Sequence, residues 1–402
     1  MSRYLILLSV FVWVSLLAVG GANYIANPYG YFNAPRIRGV NERALGFNHR
    51  LPLAKALAVE KLSPATVVLG NSRAEAGYDP EHPAMRYPPA YNAAVGGANM
   101  QAIHRYALEA LATGELRHLI VAVDFTMFDP AAWRELTDES PFIADAEGAA
   151  QLRKRQLARL ATILLSGTAL ADSWWSVTHQ DRHVARYLPS GVRDDSYDIA
   201  QAVREGGPRS ASLRTESDFL AAALRDLQSQ PARAKYARAM NAFKEVVALA
   251  YARGVRITVL FNPIHARQSY LFAASGLWEA YENWKYDVVV AATAARTAEV
   301  WDFSGVSTCT SEPLPAKGDA TARMRWYRET SHFRRSLGDL VLKRIGRDGE
   351  NELCPGLGYR LDAGNATEVL AFQRRSMERW VGDHSVDIAE LDSLARLYGR
   401  RP

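Results

Sequence analysis

Ser72 lies where a side chain could act as a nucleophile. It belongs to the stretch TVVLGNSRAEAGYDP, in which a short β-branched run ends at Gly70 and is followed at once by Ser72 and Arg73. In α/β folds the ligand site lies at the carboxyl ends of the strands, so a serine at this point is a candidate nucleophile. An ordinary turn after a strand has the same sequence pattern. A base and a carboxylate must therefore be found elsewhere in the chain.

Both groups occur near the carboxyl end of the chain, in YRETSHFRRSLGDLVLKRI, where Glu329 and His332 are three residues apart. Histidine is suited to take the proton of a serine hydroxyl, and a carboxylate can hold the imidazole in the required tautomer. Glutamate is ionised at neutral pH and can act in place of aspartate. The sequence thus predicts a Ser72–His332–Glu329 triad. In the alternative, Glu329 is a surface charge and His332 an ordinary residue near a helix start.

Strands and helices alternate around these residues. Short apolar, β-branched runs predict strands, and runs with helical spacing predict the helices between them, which together indicate βαβ units and a parallel sheet. The predicted strands are TVVLG, the start of AYNAAVGGANM, HLIVAVDF, VRITVLFNP and AEVWDF; the predicted helices include 101–113, 235–253 and 332–345.

The chain divides into segments by composition. We expect a transmembrane anchor at 1–22, a leader at 23–64, an α/β domain at 65–350 and a helical tail at 351–402. The alternation of strands and helices stops at 130–234, which predicts a helical insertion. This insertion is either a lid that binds substrate or a filler without a role in the site.

The amino terminus is predicted to cross a membrane. Tyr4–Ala22 contains no charged residue, and nineteen helical residues span roughly 28 Å, which matches the hydrocarbon core of a bilayer. Because Arg3 is expected to stay on the cytoplasmic side, the domain should lie outside, in the periplasm, on a single-pass inner-membrane anchor. A cleaved signal peptide is the alternative, since Gly20, Gly21 and Ala22 are small enough for a cleavage site.

Composition excludes several classes of protein. The net charge is only +5 and the arginines are scattered, so a nucleic-acid partner is not expected. No Cys/His cluster has the spacing of a zinc site, and no metal or other cofactor is expected. The two cysteines, Cys309 and Cys354, either pair in an oxidising compartment or remain two buried thiols.

In order and spacing, these motifs resemble the SGNH (GDSL-like) hydrolase superfamily. In particular they resemble its membrane-anchored extracytoplasmic branch, which includes alginate O-acetyltransferase accessory proteins and the D-alanine transfer protein of teichoic acid synthesis. The resemblance implies a flavodoxin-like three-layer fold, with Ser72 as nucleophile and His332 as base. Glu329 stands where the family has Asp. Gly97, in NAAVGGAN, matches a glycine whose N–H joins that of Ser72 as an oxyanion donor. The third block has Asp124 where the family has Asn.

The resemblance also implies a function, namely acyl transfer, most plausibly of acetyl groups, to a polysaccharide. A multi-spanning membrane acyltransferase would then supply the acyl group. A carbohydrate esterase and a non-catalytic glycan-binding or scaffold subunit are the alternatives. Asp302, in WDFSG, is an alternative orienting acid. Further residues near the strand ends are candidates for contact with substrate: Arg73, Asn99, Asp124, Asn262 and His265.

Overall fold

A six-stranded sheet forms the centre of the fold. A computed structural model of the chain describes residues 2–128, 152–181, 186–226, 232–294, 298–346 and 352–399. The strands are β1 (Thr66–Leu69), β2 (Ala90–Asn92), β3 (His118–Val123), β4 (Arg256–Phe261), β5 (Ala298–Asp302), β6 (Tyr327–Glu329), β7 (His332–Phe333) and β8 (Tyr359–Leu361). The sheet order is β2-β1-β3-β4-β5-β8, and β6 and β7 form a separate two-stranded hairpin.

The first five strands of the sheet are parallel, as the sequence predicts. The order 2-1-3-4-5 is that of flavodoxin-like doubly wound sheets, in which ligands bind at the carboxyl ends of the strands. Val123 pairs with Phe261, and Phe261 pairs with Asp302, so these strands end at one common edge. The sequence did not predict β8, which adds to β5 in the antiparallel direction.

Fourteen α-helices are described. They are α1 (Ser2–Ala26), α2 (Leu51–Leu62), α3 (Ser72–Gly77), α4 (Met100–Ala112), α5 (Leu152–Leu164), α6 (Gly167–Thr178), α7 (Asp195–Arg204), α8 (Pro208–Asp226), α9 (Ala232–Ala252), α10 (Ala266–Ala274), α11 (Trp278–Thr293), α12 (Arg335–Gly346), α13 (Ala366–Asp383) and α14 (Ser385–Gly399).

The two faces of the sheet bury two separate apolar clusters. Successive strand residues point to opposite faces, so Val67 and Leu69 pack with α2, α4, α9 and α11, while Val68 and Ile120 pack on the side of α12. This confirms a sheet covered on both faces, with the three-layer arrangement that continuous apolar strands indicate.

Helix α1 is long and apolar enough to cross a membrane. Its segment Arg3–Ala26 has a mean hydropathy of 2.4 over the best window, and it is the one such helix among the described residues. The predicted leader at 23–64 is not a separate extended segment, because α2 lies within it and buries Ala56 and Val59 in the core.

The described parts of the predicted insertion at 130–234 are helical, comprising α5 to α8; residues 129–151, 182–185 and 227–231 lie outside the described ranges. The tail after residue 351 is part of the same packed body, since α14 lies against α8 and α10, and α13 lies against α11. The two cysteines form a disulfide, Cys309–Cys354, with their Cα atoms 5.8 Å apart.

Candidate active site

The β6–β7 hairpin holds Glu329 and His332 side by side. The two residues pair directly across the hairpin, with Thr330 and Ser331 in the turn between them. The sequence predicted His332 within a helix at 332–345, but that helix, α12, begins at Arg335. The difference matters for the geometry, because directly opposed residues of a hairpin have neighbouring side chains.

Ser72 is the first residue of α3, directly after the turn that follows β1. Asn71 caps this short helix, its side chain accepting a hydrogen bond from the backbone N–H of Arg73 at 3.0 Å. Gly70 is required for the turn, because a Cβ there would lie 2.5 Å from the Cβ of Ala74 and 3.0 Å from the carbonyl oxygen of Ala122. The turn therefore places Ser72 beside the carboxyl edge of the sheet.

The three predicted triad side chains meet. The Oγ of Ser72 lies 2.8 Å from Nε2 of His332, and Nδ1 of His332 is hydrogen-bonded to Oε1 of Glu329. The other carboxylate oxygen, Oε2, accepts the backbone N–H of Ser331 at 2.7 Å. With Nδ1 protonated toward Glu329, Nε2 is free to accept the proton of the Ser72 hydroxyl.

Glu329 is ionised in this setting, although it is almost fully buried. Burial alone would raise the pKa of its carboxyl group, but the charge and hydrogen bond of His332, the charge of Arg328 and the N–H of Ser331 together lower it to about 2. A carboxylate that stays charged beside Nδ1 can stabilise the positive charge that an imidazole gains when it takes a serine proton.

The turn that contains Gly97, whose N–H is a predicted oxyanion donor, lies beside Ser72. Gly96 lies close to the nucleophile, since a Cβ placed on it would be 3.7 Å from the Cβ of Ser72. Gly97 has φ +77°, a conformation that favours glycine, and open space beside it. Among the described residues, neither the N–H of Ser72 nor that of Gly97 donates a hydrogen bond to a protein acceptor.

Arg73 connects the turn of the β6–β7 hairpin to the sheet. Its Nε donates to the carbonyl oxygen of Ser331 at 2.7 Å, its Nη2 lies 3.3 Å from the Ser331 hydroxyl, and its Nη1 is paired with Asp124. Asp124 follows β3 directly and also accepts from the side-chain amide of Asn262 at 2.8 Å. Asn262 in turn accepts from the hydroxyl of Tyr78 at 2.8 Å. This chain of contacts ties the turn of the hairpin to the ends of β3 and β4.

The other residues predicted to contact substrate lie inside the protein. Asn99 caps α4 by accepting the N–H of Ala102 at 3.0 Å. His265 caps α10, and its Nε2 lies 2.8 Å from the carbonyl oxygen of Glu312. The observed contacts of Arg73, Asn99, Asp124, Asn262 and His265 are all with protein groups, so their contact with substrate stays a prediction.

Asp302, the alternative orienting acid, has other partners. Its Oδ2 lies 2.8 Å from Nζ of Lys285, and its Oδ1 accepts from the backbone N–H of Ser304 at 2.9 Å and from the Ser304 hydroxyl at 2.7 Å. Nδ1 of His332 donates its hydrogen bond to Glu329 instead. The structure therefore favours Glu329 as the orienting carboxylate.

A buried charged cluster behind Ser72 was not anticipated from the sequence. Glu75, three residues after Ser72, is fully buried and lies 3.7 Å from Lys55 and 3.4 Å from Arg193. The Nζ of Lys55 also donates to the carbonyl oxygen of Ala94, close to the Gly96 turn. Burial lowers the pKa of Lys55 to about 8, with Glu75 acting in the opposite direction. No clear signal marked Lys55 as buried, because the α2 sequence LPLAKALAVEKL has no single apolar face.

The insertion takes part in this support. Arg193 bonds to Asp198 in α7, and Asp198 also accepts from Arg328 of β6 at 3.0 Å. The hydroxyl of Ser212, in α8, accepts the N–H of Thr330 at 3.2 Å. The described part of the insertion therefore supports the β6–β7 hairpin, and its role as a lid stays a prediction.

Chemically, the arrangement brings together a hydroxyl, an imidazole and a carboxylate, with the turn at Gly96 and Gly97 beside them; acyl transfer through a serine requires groups of these types. No group of three or more His, Cys, Asp or Glu residues that could hold a metal ion occurs within the described ranges. Comparisons with protein-family models, with curated proteins and with solved structures find no match.

Proposed function

We propose that this protein is a serine-dependent acyltransferase of the SGNH type that transfers acyl groups, most plausibly acetyl groups, to hydroxyls of a polysaccharide. The observation that carries the proposal is the hydrogen-bonded chain Ser72–His332–Glu329 at the carboxyl edge of a flavodoxin-like sheet. The likeness to the SGNH superfamily in motif order and spacing supports the same reaction class.

The reaction takes place in two half-reactions. In the first, the Ser72 Oγ attacks the acyl carbonyl carbon while Nε2 of His332 takes the hydroxyl proton. The oxyanion that forms accepts hydrogen bonds from the backbone N–H groups of Ser72 and Gly97. The carbon–oxygen bond to the leaving group then breaks, and His332 returns the proton to that leaving alcohol. The product is an acyl ester on Ser72.

The second half-reaction reverses these roles. A sugar hydroxyl attacks the acyl ester, His332 takes its proton, and the Ser72 Oγ leaves and regains a proton from His332. With water as the attacking group, the same steps give an esterase. The two activities differ in which hydroxyl reaches the acyl-enzyme.

A recess next to the hairpin offers charged groups to an acceptor, although most of its exposed lining is apolar. It lies between α7 and the hairpin, and Asp195, Asp198, Arg328 and Arg334 are among its lining residues. Arg334 bonds to Asp195 at 2.6 Å, and Arg328 bonds to Asp198 at 3.0 Å. Carboxylates and guanidinium groups offer acceptors and donors that match sugar hydroxyls.

We also propose that α1 is an uncleaved, single-pass inner-membrane anchor that keeps the domain in the periplasm. In that compartment acyl groups cannot come from coenzyme A, so a multi-spanning membrane acyltransferase is the proposed donor partner. Protease digestion of spheroplasts should remove the domain and leave a short membrane-bound fragment. A soluble, shortened protein would instead indicate a cleaved signal peptide.

The catalytic proposal is tested with Ser72→Ala and His332→Ala, assayed on a small acetyl ester and with a serine-directed phosphonate. Both variants should lose turnover together, since members of a triad act as a unit, and Ser72→Ala should lose all labelling. Their thermal stability should stay near that of the wild type. Full activity in Ser72→Ala would overturn the proposal. Absence of turnover and of labelling in the folded wild type would favour a non-catalytic glycan-binding subunit.

Transfer and hydrolysis are separated by following the fate of the acyl group. The wild type is incubated with the acetyl ester with and without oligosaccharides that carry free hydroxyls, and products are measured by mass spectrometry. Acetylated sugar that requires Ser72 supports a transferase. Release of free acetate alone, whatever oligosaccharide is present, supports a carbohydrate esterase.

A further inference from the structure

The helical hairpin formed by α5 and α6 exposes a surface without charge. Between Leu157 and Thr178 the sequence contains just two charged residues, Arg159 and Asp172. Both are buried and paired: Arg159 lies 2.9 Å from Glu60, and Asp172 accepts the hydroxyl of Tyr29 at 2.7 Å. Between Leu157 and Thr178, the solvent-facing side of these two helices therefore consists of uncharged residues alone.

Large apolar side chains stand out on that side. Leu157 is 67%, Leu165 47% and Trp174 74% exposed. We call these three residues and the small exposed residues around them the hairpin face. The small residues are Ala158, Ala161, Thr162, Gly167, Thr168 and Ala171. A soluble domain rarely leaves a tryptophan and two leucines on one uncharged hairpin without a partner for them.

The turn of this hairpin is fastened to the carboxyl end of α1. The buried side-chain amide of Asn23 donates to the carbonyl oxygens of Leu164 at 2.8 Å and Ser166 at 3.2 Å, and Asn23 accepts the hydroxyl of Ser173 at 2.9 Å. A Cβ on Gly20 would lie 3.7 Å from Leu165. The hairpin face therefore begins where the apolar span of α1 ends.

We propose that the hairpin face lies in the interfacial layer of the lipid bilayer, beside the point where α1 leaves the membrane. The proposal rests on the membrane anchoring by α1 proposed above. Tryptophan is enriched at the level of lipid headgroups, and an uncharged face can enter that layer without desolvating a charge. Because the hairpin face adjoins the end of the proposed membrane helix α1, we infer that lipid rather than a protein partner covers it.

The second contact would give the domain two attachments to the membrane. One helix alone lets the domain turn about the helix axis and tilt. A helix pair that is hydrogen-bonded to α1 and also seated in the interface restricts both motions. The site at Ser72 would then stay at a fixed height above the bilayer, where a membrane-bound acyl donor could reach it.

Site-specific fluorescence tests this on the full-length protein. The two native cysteines are paired in the disulfide, so a single introduced cysteine can be labelled selectively with an environment-sensitive fluorophore. The variants are Leu165→Cys and Trp174→Cys on the hairpin face, Val12→Cys in α1, and Val386→Cys on α14 as a matched exposed control. Each is reconstituted into vesicles of phosphatidylethanolamine and phosphatidylglycerol, with or without nitroxide-bearing phospholipid.

Probes at 165 and 174 should be quenched by the nitroxide lipid at least about twofold more than the probe at 386, and less than the probe at 12. Equal quenching at 165, 174 and 386, with strong quenching at 12, would overturn the hairpin proposal and leave the anchor standing. The hairpin face would then be the seat of a protein partner, which these vesicles lack. No quenching at 12 would overturn both the anchor and the hairpin contact.

Discussion

Glu329→Gln is the most informative change in the proposed triad, because it keeps the shape of the side chain and removes its charge. The attraction of His332, Arg328 and the Ser331 N–H overcomes the effect of burial and lowers the pKa of Glu329 from 4.5 to about 2. At 1.36 kcal/mol per pKa unit, this corresponds to about 3 kcal/mol in favour of the carboxylate. Glutamine cannot supply that interaction when His332 becomes charged in the transition state.

A loss of about 3 kcal/mol in the transition state corresponds to a decrease in kcat of about 150-fold. Glu329→Asp keeps the charge and shortens the side chain, so its loss should be smaller. The assay is hydrolysis of a small acetyl ester near neutral pH, with thermal unfolding measured in parallel. Residual activity above that of Ser72→Ala is expected in Glu329→Gln, because the oxyanion donors remain.

Asp302→Asn provides the matched control. It also removes the charge of a fully buried carboxylate that is paired with a cation, Lys285 at 2.8 Å. It should therefore lower stability without a comparable loss of kcat in the protein that remains folded. Near-wild-type kcat in Glu329→Gln, with Ser72→Ala and His332→Ala inactive, would refute the role assigned to Glu329. A large loss in Asp302→Asn would refute the contrast between the two carboxylates.

Three further predictions concern stability and positioning. Cys309→Ser should lower the free energy of unfolding by about 4 kcal/mol on a chain-entropy estimate, because the disulfide closes a loop across 45 residues that includes Glu329 and His332. Two free thiols in the unfolded, unreduced wild type would show that the disulfide does not form. Burial is the main reason why the pKa values of His118 and His265 are lowered to about 4 in the folded protein. Between about pH 6.5 and 4 the unfolded chain therefore binds more protons than the folded one, so the free energy of unfolding should fall as pH falls through that window. At pH 5 each histidine should lower the free energy of unfolding by about 2 kcal/mol relative to neutral pH. If the melting temperature of His118→Gln depended on pH as strongly as that of the wild type, this assignment would be wrong. Asp124→Asn should change kcat more than KM, because it removes the ion-pair partner of Arg73, which contacts the turn of the β6–β7 hairpin. An unchanged kcat in the folded variant would show that the Arg73–Asp124 ion pair does not position His332.

The sequence by itself determined the layout of the sheet. The runs that end at Leu69, Val123 and Phe261 are β-branched and apolar, and all three form strands that are almost entirely buried. Alternation of such runs with helical spacing leaves few arrangements other than a parallel sheet with helices on both faces. The types of Ser72, His332 and Glu329 were also enough to propose a triad, because few residue types can perform that chemistry.

Tertiary structure decided how those residues are held. The amphipathic pattern after His332 predicted one helix, whereas strands of three and two residues form the hairpin that carries the base. Such short strands have too few residues to show a period, and their pairing depends on contacts with α7 and α8. The links from Arg73 to Ser331 and from Lys55 to Ala94 join segments 258 and 39 residues apart. The spacing of apolar residues along the chain predicts which side of a helix or strand is buried. Which buried groups contact each other depends on how distant segments pack in the folded protein.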